Sequence, residues 1–370
     1  MTDGNSGRTI ASVDAQLYAP PLAEVLTDAK HGDHIYYELI VCTVVTDDGQ
    51  TGTGYTYTGG KGGRAILAML RHDLAPVLVG RDAEKIDEIF DDLQLHIHYV
   101  GRGGVASFAI SAIDIALWDL RGKVRGEPLW KLAGGASDRA KIYRGGIDLN
   151  FPVERLAADN RRHVEQGFKG VKIKVGKPDL AEDVARVAAV REAIGPETVF
   201  MVDANYGLSV DQAVAACEAF APFNLAWFEE PIDPDDLEGY ARIAETTAMP
   251  LAKGENLHTM AEFARALKVA RLAFIQPDPG NCGGVTGFLR VAEMARAHEV
   301  PVCSHGMQEL SVSLVAAQPN AGWVESHSFD IETFTDRPVR LEDGMALAPD
   351  VPGHGVRFDV QRLAPHLVEL

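Results

Sequence analysis

Long apolar runs are missing from this sequence. No 18 consecutive residues are apolar, so no transmembrane helix is expected. Cysteine is scarce. Cys42, Cys217, Cys282 and Cys303 lie scattered without a C-x-x-C pair. That excludes a disulfide or zinc framework and reads as reduced thiols in a cytoplasmic protein. The first residues, MTDGNSGRTI, lack the charged and apolar regions of a signal peptide, which again points to the cytoplasm. Cations are outnumbered: 35 Lys and Arg face 53 Asp and Glu, for a net charge of −18. Such a balance disfavours nucleic acid and anionic membranes as partners, and an anionic ligand would need a local cationic site. Phosphate loops are absent too. TGGKGG (58–63) and GRGG (101–104) are glycine-rich but have neither a Lys-Ser/Thr pair nor a strand–turn–helix setting.

What is present is a soluble-type composition of 370 residues, 46% hydrophobic, enough for one large and one small domain. The stretch GVKIKVG (170–176) places Val171, Ile173 and Val175 alternately with Lys172 and Lys174. Period two makes it a strand with both lysines on one face. Taken alone, a solvated face explains such a pair. Similar short apolar segments recur at 141–146, 199–204, 225–231, 250–256, 273–278, 301–306 and 322–326, with helical patterns between most of them. LAEDVARVAAVREAI (180–194) is one such helix and should stop at Gly195. Eight β segments alternating with helices predict a (β/α)8-type barrel, with an open doubly wound sheet as the runner-up. Residues 1–135 differ in texture. ELIVCTVVTDDGQTGTGYTYT reads as a hairpin, and helices are expected at about 63–79, 83–97 and 104–124. A small α+β domain therefore precedes the barrel.

The chemistry of a barrel sits at the C-terminal ends of its strands. There the sequence places Lys172, Lys174, Asp203, Glu229, Glu255, Asp278, His305 and Glu325. Asp203, Glu229 and Glu255 follow each other at two equal steps of 26 residues (203 to 229, 229 to 255), one βα unit each. Three convergent carboxylates repel unless a cation lies between them, and oxygen-only ligands suit Mg²⁺. Asp278, one strand earlier, would fix the tautomer of His305. A lysine and a His–Asp pair then face each other across the ion as acid and base. Glu325 reads either as a desolvated, protonated acid that donates a hydrogen bond to an enolate oxygen, or as the salt-bridge partner of one of the lysines.

The pieces K-I-K (172–174), D-A-N (203–205), F-E-E-P (228–231), G-E-N (254–256), Q-P-D (276–278), G-G-V-T-G (283–287) and S-H-G (304–306) together resemble the enolase superfamily, in its mandelate racemase subgroup. The resemblance spans nearly the whole chain. It implies an α+β capping domain over 1–138, a modified TIM barrel of (β/α)7β form over 139–335, and a tail at 336–370 returning to the cap. It implies Mg²⁺ held by Asp203, Glu229 and Glu255, with Lys174 as a base and His305 with Asp278 as the opposing acid/base. Lys172 and Asn205 would bind the substrate carboxylate end, and Glu325 would hydrogen-bond the enolate. The implied substrate is a small anionic carboxylate, the implied assembly a homo-oligomer. The loop PGNCGG (279–284) departs from the pattern, because many members carry a cation there. Within the subgroup, GTGYTYTGGKGG and SHGMQEL look most like acid-sugar dehydratases of the galactarate/talarate type. Dehydration to a 2-keto-3-deoxy acid is thus expected. A racemase, epimerase or cycloisomerase using the same enolate is the alternative, and a non-catalytic metal-dependent binder is disfavoured by the complete acid/base set. The loop LTDAKHGDHIYYEL (26–39), with His31 and His34, together with Tyr57, Lys61 and Arg102, should set the substrate.

Overall fold

The computed structural model describes residues 8–369. The chain begins as a three-stranded antiparallel sheet of β1 (Ile10–Tyr18), β4 (Glu38–Thr46) and β5 (Thr51–Thr58), in the order β1-β4-β5. Between β1 and β4, β2 (Pro21–Asp28) and β3 (Gly32–Tyr36) form a separate hairpin. The expected substrate loop over 26–39 is therefore ordered strand: backbone pairing of Leu26 with His34 and Asp28 with Gly32 holds it.

Helices follow. The first expected one runs as α1 (Gly63–Ala68), a π-turn over 69–74 and α2 (Ala75–Leu78). Then come α3 (Ile86–His96), α4 (Val105–Arg125) and a short α5 (Leu129–Leu132). Helix α4 is buried along most of its length and lies directly on β5. Gly54 makes that approach possible: a Cβ there would sit 2.0 Å from the Ala112 carbonyl oxygen.

From Arg139 onward strands and helices alternate. β6 (Arg139–Gly145), α6 (Val153–Glu165), β7 (Gly170–Lys174), α7 (Leu180–Ile194), β8 (Val199–Asp203), α8 (Val210–Phe220), β9 (Trp227–Glu229), α9 (Leu237–Thr246), β10 (Leu251–Lys253), α10 (Met260–Val269) and β11 (Phe274–Ile275) succeed one another. α11 (Gly284–Ala297), α12 (Gln308–Ala316) and β12 (Trp323–Ser326) complete the set. Local signals start these helices. Ser209 with Gln212 and Thr259 with Glu262 form reciprocal caps, and Asp179 and Asp236 cap α7 and α9. All neighbouring barrel strands pair in parallel, and β12 returns to pair with β6. The segment expected as a strand over 301–306 contributes only Val302, which bridges Ile275 on one side and Ala321 on the other. Pro301 has no N–H to give to a ladder there. Among the described residues no helix packs back onto the barrel as an eighth after β12, so the barrel is (β/α)7β, a modified TIM barrel beneath an α+β cap.

All five residues of β7 are buried, which removes the solvated-face reading of its two lysines. Inside the barrel Tyr143, Met201, Trp227, Ala252 and Cys303 pack into an apolar floor. The tail first adds a hairpin, β13 (Arg340–Glu342) and β14 (Met345–Leu347), to the edge of β6. It then runs across the cap, where the Leu129 N–H donates to the Gly353 carbonyl and the Val368 N–H to that of Leu17, and includes a last turn, α13 (Val360–Leu363). Among the described residues no helix is long and apolar enough to cross a membrane.

Candidate active site

Strand register sets the geometry. Lys174 pairs with Asp203 and Asp203 with Glu229, so these three stand in line across β7, β8 and β9. Glu229, however, pairs with Ala252, not with Glu255. The equal sequence spacing does not give equal register. β10 ends at Lys253, and Gly254 turns the chain at φ 150° with its α-carbon against Gln276. A side chain at that position would strike the Gln276 backbone at 2.7 Å. The turn brings Glu255 back, and one oxygen each of Asp203, Glu229 and Glu255 lies within 4.8 Å of the others.

The surroundings of this trio fit a hard divalent cation. Two ammonium groups stand against it: Lys174 Nζ is 2.5 Å from Asp203 Oδ2, and Lys172 Nζ is 2.5 Å from Glu229 Oε1. Trp227 Nε1 and Gln276 Nε2 both donate to Glu229 Oε2, at 2.9 and 2.7 Å, and fix that carboxylate from below. The Asn205 N–H donates to Asp203 Oδ1 at 2.8 Å, while the Asn205 side-chain oxygen is buried without a partner. Burial, with Asp203 and Glu229 beside it, pushes the Glu255 carboxyl up to about 7, against the pull of His305. Negative charge is thus in excess among oxygen donors, the condition a bound Mg²⁺ relieves. Asn205, Tyr206 and Glu230 hold left-handed backbone (φ 40°, 50° and 35°) beside these ligands, strain of the kind that gathers at functional sites.

His305 faces Lys174 across the trio. Its Nδ1 is 2.8 Å from Asp278 Oδ2, which also accepts from the Tyr57 hydroxyl at 2.7 Å. Its Nε2 is 3.3 Å from Glu255. Burial opposes charge on the ring, yet Glu255, Asp278 and Glu325 together push its pKa up to about 10. Burial and the charge of Lys172 oppose charge on Lys174, but Asp203, Glu255 and Glu229 together overcome them and favour the ammonium.

Of the two readings of Glu325, the salt bridge fits this arrangement: its Oε1 is 2.8 Å from Lys172 Nζ and its Oε2 accepts from the Gly306 N–H at 3.1 Å. Burial disfavours the anion, but Lys172 and then His305 hold its carboxyl well below the ordinary range. Lys172 lies deeper than Lys174. It is 1% exposed, lies 5.5 Å above the Tyr143 ring, and is enclosed by Glu229, Glu325 and Asp203. Lys172 therefore acts as the internal counter-charge beneath the site.

A cavity of about 410 Å³ opens over the trio between cap and barrel. Lys174, Asn205, Glu255, Asp278 and His305 line its floor, and Tyr57, His31, His34 and Lys61 its cap side. Arg102 is not among the lining residues. His327 was not singled out by sequence and lines the pocket too, its ring 5.1 Å from that of His305. His327 lies just past the end of β12, two residues after Glu325. Asp28 is the other missed residue; it ties His31 and His34 together through one oxygen, each at 2.9 Å.

Comparison with known proteins agrees with this geometry. Residues 155–362 match the enolase C-terminal domain-like family, and residues 31–134 match the mandelate racemase/muconate lactonizing enzyme N-terminal domain. The chain is 46% identical to a 3,6-anhydro-alpha-L-galactonate cycloisomerase of Streptomyces coelicolor, over 96% of this chain and 98% of that one. It is 34% identical to an L-talarate/galactarate dehydratase of Salmonella typhimurium, over 100% of this chain and 93% of that one. Its fold superposes on a crystal structure of a racemase from Streptomyces coelicolor A3(2) with bound magnesium with TM-score 0.94 and 45% identity, covering 97% of this chain and 100% of the other.

Proposed function

We propose that this chain, which belongs to the enolase superfamily in its mandelate racemase/muconate lactonizing enzyme group, removes the proton α to the carboxylate of a sugar acid and expels the β-oxygen. The product is a 2-keto-3-deoxy acid. The observation that carries this reading is the placement of Lys174 and His305 on opposite sides of the Asp203–Glu229–Glu255 trio, both lining one cavity.

Asp203, Glu229 and Glu255 would hold Mg²⁺. When bound, the ion would supply positive charge that stabilises the negative charge developing on the substrate carboxylate. Lys174 accepts the α-proton at Nζ as the neutral amine, having first released its ammonium proton to solvent through the cavity it lines. His305 carries its proton on Nε2, because Nδ1 is engaged by Asp278, and gives it to the β-oxygen as the C–O bond breaks. Tyr57 holds Asp278 in place, and the apolar floor keeps water from entering below.

Two outcomes share this chemistry. If the β-oxygen is a free hydroxyl, water leaves and the enzyme is a dehydratase. If it belongs to a 3,6-anhydro ring, the same cleavage opens the ring with no loss of atoms, a cycloisomerisation. The 46% identity to a cycloisomerase over almost the whole chain favours the ring ether. The dehydratase relative, at 34%, supports the hydroxyl.

His305→Asn separates the two steps. With Mg²⁺ present it should lose keto-acid formation by at least about 10²–10⁴-fold, the usual worth of one acid/base group. It should still exchange the α-hydrogen with solvent deuterium, with retention, because Lys174 returns the deuteron to the same face. Lys174→Ala should lose both. Exchange surviving in Lys174→Ala but not in His305→Asn would reverse the two roles.

A further inference from the structure

One carboxylate of the trio owes its place to a turn and not to a strand. β10 stops at Lys253, and the Leu257 N–H closes a turn onto the Gly254 carbonyl at 3.0 Å, with Glu255 inside it. No ladder fixes Glu255 there, yet its carboxylate is under load. Asp203 and Glu229 repel it, while His305 Nε2, 3.3 Å away, attracts it. The turn is held instead by side chains from the loops beside it. Glu230 is fully buried, its Oε1 accepts from the Gly254 N–H at 3.4 Å and its Oε2 from Asn256 Nδ2 at 2.5 Å. One carboxyl group thus spans the residues before and after Glu255. From the loop after β11, Asn281 Nδ2 donates to the Glu255 carbonyl at 2.7 Å.

Both holders are themselves anchored. The Glu230 N–H donates to the Ala252 carbonyl at 3.0 Å, and its carbonyl accepts from the Tyr206 N–H at 2.6 Å. The Asn281 N–H donates to the Asp278 carbonyl at 3.1 Å, which ties the loop PGNCGG to the end of the neighbouring strand segment. Glu230 is not one of the three carboxylates whose oxygens converge, although it adjoins Glu229 in F-E-E-P. We propose that Glu230, acting through Asn256, and Asn281 are positioning residues that clamp the 254–257 turn and set Glu255 as the third Mg²⁺ ligand. This rests on Asp203, Glu229 and Glu255 being the ligands, and adds what fixes the one that its strand does not. Groups that orient a metal ligand are worth about 10–100-fold in metal affinity, because a ligand held in place need not be ordered when the ion binds.

The test reads the calorimetric Mg²⁺ Kd of the full-length protein without substrate, the EPR spectrum of bound Mn²⁺, and the urea midpoint of the metal-free chain. Asn256→Ala and Asn281→Ala decide, because neither changes the charge around the ion. Each should raise the Mg²⁺ Kd by about tenfold or more and alter the Mn²⁺ spectrum. Glu230→Gln should weaken binding at least as much, since its amide turns a donor toward a donor. Glu255→Gln is the reference for a lost ligand and should weaken it further. Each neutral variant judges its own side of the clamp. An unchanged Kd in Asn256→Ala overturns the role of Glu230, and if Glu230→Gln is then weak it acts through its charge alone. An unchanged Kd in Asn281→Ala overturns the role of Asn281. A lowered urea midpoint with an unchanged Kd marks the contact as structural only and overturns that side as well. If Glu255→Gln binds Mg²⁺ as tightly as the wild type, the ligand assignment itself fails and the clamp falls with it.

Discussion

Lys172 and Lys174 stand two residues apart on one strand, and their duties diverge because the barrel interior is layered. Lys172 lies one layer lower, against the apolar floor, and is spent on Glu229 and Glu325. Lys174 reaches the cavity. Tyr57 shows the same logic from the cap side: it touches Asp278, which touches His305, so it acts on the proton donor at one remove. A hydrogen bond to a charged group is worth about 1.5–3 kcal/mol. Tyr57→Phe is therefore expected to lower kcat by about tenfold or more, at about 1.4 kcal/mol per decade, with a smaller change in KM. Its alkaline pH limit should also move up, because Asp278, without the Tyr57 hydrogen bond, bears more negative charge against the His305 imidazolium. Steady-state kinetics from pH 6 to 10 checks this, and an unchanged kcat with a raised KM would make Tyr57 a binding residue only.

At the scale of elements, β5 is the piece that joins cap to site. Three successive residues reach into barrel loops: Tyr55 to Glu309 at 2.6 Å, Thr56 to the Gly280 carbonyl at 2.6 Å, and Tyr57 to Asp278. Their placement depends on α4 lying flush on the strand. Gly54→Ala would put a methyl group 2.0 Å from the Ala112 oxygen and 2.4 Å from the Ala116 nitrogen, backbone that cannot step aside. Overpacking costs about 1–3 kcal/mol, and urea midpoints should fall accordingly. Trp118 on α4 donates to Thr286 of α11 at 2.9 Å, so its fluorescence should report cap loosening before the barrel melts. An unaltered midpoint would mean that α4 and β5 can separate freely.

Much at this scale was legible in sequence. The 180–194 helix, the β4–β5 hairpin and seven of the eight barrel segments follow from periodicity and caps, which are local signals. Other features depend on distant partners. The hairpin of β2 and β3 reads as a loop because HGDHIYYEL carries charge on both faces. The pairing of β14 with β6 brings residues about 200 apart into contact, and no local pattern announces it. Among site residues, Asp203 and Glu229 stand at paired strand ends, as their spacing suggests, whereas Glu255 joins them only through the turn at Gly254. The residues alone left Glu325 between a hydrogen-bonding acid and a salt-bridge partner of a lysine, since that choice depends on the depth of each side chain within the lumen.

For the whole molecule, cap and barrel meet through buried acids, and this gives the junction a pH dependence. Asp114 on α4 accepts from the Thr286 N–H at 2.9 Å, and burial pushes its carboxyl up to about 7 against that bond. Glu309 at the start of α12 accepts from Tyr55 through one oxygen and leaves the other buried without a partner; burial pushes it up to about 7 as well. Unfolded, both groups titrate near 4. Between about pH 4 and 7 the folded state thus binds more protons than the unfolded one. Linkage then makes stability fall as pH rises through that window, and the loss is complete once both folded carboxyls ionise above about 7. Asp28 is held far below the usual carboxylate range, chiefly by His31 and His34 overcoming burial, so its contribution runs the other way and is lost only in stronger acid. The protein should accordingly resist urea better at pH 6 than at pH 8. The double variant Asp114→Asn, Glu309→Gln should reduce that difference, the remainder coming from Glu255 and His305, while leaving the acid-limb loss due to Asp28 in place. A wild type equally stable at both pH values would show that these two acids are already ionised in the folded state, with the cap relaxed enough to admit water to them.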